Sequence, residues 1–79
     1  MARYSVNTHK DIEKVINRAV EFFGNELGMD ITQQSDCCIR FTSDGGFVYI
    51  YSKSDHGVRD IIIETLEWDT KVEEFLVKL

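Results

Sequence analysis

Seventy-nine residues make one domain's worth of chain and leave no length for a second core. At 43% hydrophobic and 29% charged, with no proline, the composition is globular and excludes disordered, collagen-like and low-complexity classes. Fourteen acidic against nine basic residues give a net charge of −5, a balance that repels phosphate backbones and argues against nonspecific nucleic-acid binding.

Seven of the acidic residues, against three basic ones, fall between Asp55 and Leu79. No uninterrupted apolar run approaches the roughly 20 residues of a membrane span, and the first residues lack the apolar stretch of a secretory signal. A cytoplasmic protein with no membrane partner is the expectation. The two cysteines, Cys37 and Cys38, are adjacent. Neighbouring side chains on a strand point to opposite faces, so the pair is expected to remain two free thiols in a reducing compartment.

Thr8 and Asp11 have the spacing of a capping box, with Asp in place of the usual Glu or Gln. Beyond them Ile12, Val15, Ile16, Ala19, Val20, Phe23 and Leu27 form the stripe of an amphipathic helix, which Gly28 is placed to end. Gly24 inside it marks either fraying or a close approach to the sheet. Met29 to Asp36 is polar and reads as a short edge strand or a loop.

Cys37 to Thr42 then alternates, and Asp44-Gly45 separates it from the β-prone run Phe47 to Tyr51. An Asp-Gly pair there predicts a type I′ hairpin, with Ser43 opposite Gly46, Arg40 opposite Tyr49 and Cys38 opposite Tyr51. Ser52 to Gly57 reads as a turn. Val58 to Leu66 is a further strand, and Asp69 or Thr70 caps a last helix with the stripe Val72, Phe75, Leu76 and Leu79. The elements predict a two-layer α+β sandwich of order α-β-β-β-α. Its antiparallel sheet has three strands, or four with one around Ile31, and carries the N-terminal and C-terminal helices on one face.

The hairpin register sorts the side chains. Cys37, Ile39, Phe41, Val48 and Ile50 share the face suited to the helices, while Phe47, Tyr49 and Tyr51 share the other with Cys38, Arg40 and Thr42. Three alternating aromatics beside an arginine make a contact surface when exposed and ordinary core when covered, with the first helix or Tyr4 and Val6 as the candidate covers. Arg40, Phe47, Tyr49 and Tyr51 are therefore the expected binding residues. Trp68, ringed by Glu64, Glu67, Asp69, Glu73 and Glu74, is a further one, although acids at a helix start and a tryptophan lid on the core are the favoured explanation of that cluster.

Chemistry has fewer footholds. Adjacent cysteines lack the spacing of a zinc site, and Asp55-His56 within Lys53 to Gly57 reads as a solvated turn rather than a catalytic dyad. No catalytic residue, metal or cofactor is assigned. The reading is a non-enzymatic interaction protein that presents the aromatic face, first of all to a second copy of itself, otherwise to another protein. Its main alternative is a thiol-dependent enzyme or redox protein using Cys38. Single-stranded nucleic acid on the aromatics, and an acidic inhibitor that mimics nucleic acid, are weaker rivals.

Overall fold

Strands and helices with one apolar side each need a second layer to bury it, and here the two kinds of element supply that layer for one another. The structure, a computed structural model, describes residues 2–7, 11–55 and 58–78. In chain order it comprises β1 (Ala2–Asn7), α1 (Ile12–Ala19), β2 (Asp30–Gln34), β3 (Cys38–Ser43), β4 (Gly46–Asp55), β5 (Val58–Leu66) and α2 (Asp69–Lys78). Between α1 and β2 the helix continues in π-helical form over Val20–Glu26.

The five strands pair antiparallel in the order β1-β5-β4-β3-β2, which puts β4 in the centre. The α+β class stands, but the expected three- or four-stranded α-β-β-β-α sandwich is corrected to five strands in the order β-α-β-β-β-β-α. The missed strand is β1. Its alternation of Ala2, Tyr4 and Val6 with Arg3, Ser5 and Asn7 is legible, but its partner lies far along the chain, with Ala2 opposite Thr65.

Ser52 to Asp55 is corrected as well. These residues extend β4 rather than turning the chain, because β5 offers them ladder partners down to Asp55 opposite Val58. His56 and Gly57 lie outside the described residues, as do Thr8 of the expected capping box, His9 and Leu79. Asp11 takes the extended N-cap conformation, and its carbonyl accepts the N–H groups of Lys14 and Val15.

Local chemistry explains the element ends. Gly28 adopts φ 71°, the left-handed conformation that lets Met29 N–H donate to the Phe23 carbonyl and close the helix. Asp44 and Gly45, at φ 41° and 81°, form the type I′ turn, and the β3–β4 register runs as predicted from Ser43–Gly46 to Cys38–Tyr51. Gly24 faces Phe41, but a methyl group there would meet the ring at 3.8 Å, an ordinary contact, so the approach does not require glycine. β2 is an exposed edge, irregular between Ile31 and Gln33.

Both helices lie on one side of the sheet. Val15, Ile16, Ala19, Phe22, Phe23, Val72 and Phe75 pack against Ile39, Phe41, Val48, Ile50, Ile61 and Ile63. The buried Thr65 on that face donates its hydroxyl to the Phe47 carbonyl at 2.9 Å, so its polarity is satisfied. Among the described residues, no helix is long and apolar enough to cross a membrane.

Candidate functional site: the open face of the sheet

Strand alternation sends every second residue away from the helices. On β4 these are Phe47, Tyr49, Tyr51 and Lys53, and on β3 they are Cys38, Arg40 and Thr42. β5 contributes Asp60, Ile62, Glu64 and Leu66, and β1 contributes Arg3, Ser5 and Asn7. Neither helix reaches this side. Tyr4 and Val6, the other candidate covers, sit on the opposite face, in register with Ile63 and Ile61. Among the described residues no element covers the aromatic face.

Its centre is organised by ring contacts. Arg40 places its guanidinium 4.7 Å from the Phe47 ring centre and 6.0 Å from that of Tyr49. The Tyr49 and Tyr51 rings lie 5.1 Å apart at 35°. The Tyr51 hydroxyl donates to Glu64 Oε2 at 2.8 Å and accepts a longer contact from Arg3 at 3.5 Å. Phe47, Tyr49, Tyr51 and Arg40 are half-buried, and Ile62 is only 4% exposed although no helix lies above it. The surrounding long side chains already shield that isoleucine, which makes the face a shallow aromatic surface.

Four of the five expected binding residues thus come together. Trp68 does not join them. It follows the end of β5, packs against the helix-side core and stands over Gly46. Of the carboxylates expected to ring it, Glu64 is on the open face, while Glu73 and Asp69 bear on the Tyr4 hydroxyl at the sheet edge. Partial burial, then Glu73 and Asp69, hold the Tyr4 hydroxyl above its ordinary pKa. The face also gains Ile62, Glu64, Leu66 and Arg3, which the sequence reading did not assign to it. The run Ile61–Ile63 hides their facing until β5 is paired with β4, because an isoleucine points each way.

The expectation of two free thiols is corrected. Cys37 and Cys38 are joined by a disulfide. Strand alternation does not govern both residues: β3 begins at Cys38, and Cys37 sits in the bend before it. Cys37 is accordingly exposed rather than part of the core, with Sγ 3.4 Å from Ser35 Oγ, and Cys38 is 9% exposed. Of the residues between Lys53 and Gly57, Lys53 to Asp55 belong to β4 and His56 lies outside the described set.

A second concavity, about 430 Å³, lies where the π-helical segment meets the end of α2, lined by Arg18, Glu21, Phe22, Glu26, Phe75 and Lys78. Arg18 is already donating to the Lys78 carbonyl at 2.8 Å, and the Lys78 ammonium sits 4.7 Å from the Phe22 ring centre. Its charges are of both signs and its two cations are engaged within the chain, so it offers a ligand less than the sheet face does.

The Tyr51–Glu64 bond has a measurable signature. That hydrogen bond, aided by desolvation and opposed by Arg3, holds the Tyr51 pKa above the ordinary tyrosine value. The folded state therefore keeps this proton more tightly than the unfolded chain does. Its contribution to stability is complete below about pH 10 and is lost as pH rises through the folded-state pKa. Unfolding free energies measured between pH 8 and 12 are expected to fall with pH, and Tyr51→Phe is expected to fall less steeply. Equal slopes for the two proteins would contradict the assignment. A comparison with protein families and with curated proteins finds no match to this sequence.

Proposed function

We propose that the chain is a non-enzymatic interaction protein whose open sheet face, centred on Arg40, Phe47, Tyr49 and Tyr51, is its contact surface and takes a second copy of the chain. The observation that carries this reading is that both helices pack on the same side, leaving the aromatic side with no covering element among the described residues. Rigid, half-buried aromatics stacked with an arginine bury large area on contact and lose little side-chain entropy. Pairing through the β2 edge is less favoured, because that strand is polar and irregular between Ile31 and Gln33.

Thiol chemistry at Cys38 is the competing reading. Against its nucleophilic form stand the sulfur's bond to Cys37 and the burial of Cys38; the disulfide does not speak against its redox form. Phosphate-bearing ligands gain little here, because Glu64 and Asp60 are interleaved with Arg3, Arg40 and Lys53 on the face.

Light scattering at several protein concentrations tests the proposal. Wild type is expected to show a dimer that dissociates on dilution. Tyr49→Asp, which adds an unpaired charge at the centre of the face, is expected to be a folded monomer throughout. A wild-type protein that stays monomeric at every concentration, with a native circular dichroism spectrum, would end the second-copy reading.

A further inference from the structure

One row of residues crosses the open face through Tyr49. The ladder places Gln33, Arg40, Tyr49, Glu64 and Arg3 side by side on β2, β3, β4, β5 and β1. Opposite charges therefore flank the central tyrosine, one strand away on either side. From this asymmetry we infer that two copies pack face to face about a two-fold axis running along β4, with Arg40 of each chain paired to the partner's Glu64. The inference rests on the proposed second-copy contact and fixes its geometry.

A two-fold axis lying between two facing sheets and parallel to their central strand exchanges left and right across the strands while keeping position along them. Arg40 then meets the partner's Glu64 twice. The same operation sets Cys38 against the partner's Ile62 and Thr42 against the partner's Leu66, so the neighbouring rows meet without a buried charge. Lys53 falls opposite its own copy, with Asp60 of each chain, its row neighbour, flanking the two lysines.

The alternatives are worse. An axis across the strands through the Tyr49 row sets Arg40 against the partner's Arg40 and Glu64 against the partner's Glu64. Moving the axis sideways to lie between β4 and β5 sets Arg40 against the partner's Arg3. Like charges facing one another in a desolvating contact are strongly unfavourable. An axis moved the other way, between β3 and β4, sets Arg40 against the partner's Tyr49 and Glu64 against the partner's Gln33, pairing neither charge. The axis over β4 alone among these pairs Arg40 with Glu64, its one like-charge meeting being Lys53 with its own copy, which Asp60 flanks.

The test is reciprocal charge reversal. Arg40→Glu and Glu64→Arg, each alone, are expected to weaken the dimer by at least about tenfold, measured by sedimentation or light scattering. Mixed in equal amounts, the two variants restore both pairs and are expected to form a heterodimer of near wild-type affinity. A merely structural role for either residue gives no such rescue. Wild-type dimers with no rescue on mixing, or a preferred heterodimer of wild type with Arg40→Glu, would overturn the axis while leaving the second-copy reading intact. A wild-type monomer would remove that reading itself.

Lys53→Cys supplies a check that leaves the charged row untouched. Lys53 is exposed and four residues from Tyr49, about 13 Å along the strand. An axis along β4 holds the two copies of position 53 near the sheet spacing of about 10 Å, whereas an axis across the strands separates them by about 26 Å. Efficient crosslinking of the Lys53→Cys dimer by a short bismaleimide is the expected result. Its absence in a protein that still dimerises would overturn the proposed geometry even if the charge-reversed variants fail to fold.

Discussion

Replacing Gly46 with alanine is expected to lower the unfolding free energy by about 2–3 kcal/mol, a large part of what a domain this small holds. Gly46 has an ordinary backbone conformation, so the cost is one of space rather than of strain. A methyl group there would run into the Leu66 backbone carbonyl and lie 2.8 Å from two atoms of the Trp68 indole ring. Neither obstacle moves freely. Leu66 is held in the ladder opposite Phe47, and Glu67 follows it at φ 70°, an uncommon conformation that sends the chain directly into Trp68. Trp68 in turn packs on the core. As the only tryptophan, it reports on its own displacement, so denaturant unfolding followed by its fluorescence reads the effect directly. An unchanged midpoint would mean that the strand end and the indole yield together and that the corner is not fixed.

Phe23→Ala is expected to cost about 3–5 kcal/mol and to leave most of the chain unfolded at room temperature. Phe23 is fully buried in the π-helical segment, and its ring centre lies 5.0, 5.4 and 5.3 Å from those of Phe22, Phe41 and Phe75. It thus joins the first helix to the sheet and to α2 at one point. Removing it opens a cavity between three elements, which cannot all close in on it. Phe23→Leu keeps most of the volume and is expected to retain a cooperative melt at lower temperature. If Phe23→Ala unfolds within about 1 kcal/mol of wild type, the aromatic cluster is not the anchor of the helical layer.

These two sites differ in how far the sequence announces them. Phe23 falls on the first helix's apolar stripe and is legible as core. Gly46 reads only as a turn residue, because the indole that crowds it comes from a segment met after another full strand. The same division runs through the fold. The β3–β4 register could be read because a two-residue turn and strict alternation are local facts, and with it came the grouping of Arg40, Phe47, Tyr49 and Tyr51. Whether that face is open depends on where the helices and β1 settle, which is not local. The disulfide was missed because strand geometry was applied to Cys37, one residue before β3 begins. Ser52 to Asp55 misled for the opposite reason: turn-prone residues were held extended by a partner strand.

The pairing of β1 with β5 bears on the order in which the chain acquires its structure. The β3–β4 hairpin closes over Asp44 and Gly45 alone, whereas β1 must wait for residues as distant as Thr65. Loop-closure entropy therefore ranks the β1–β5 ladder after the β3–β4 hairpin. Until β1 docks, the outer edge of β5 stands unpaired. Pulse-labelled amide exchange would register this as late protection of Ala2–Asn7 together with the β5 amides that face it.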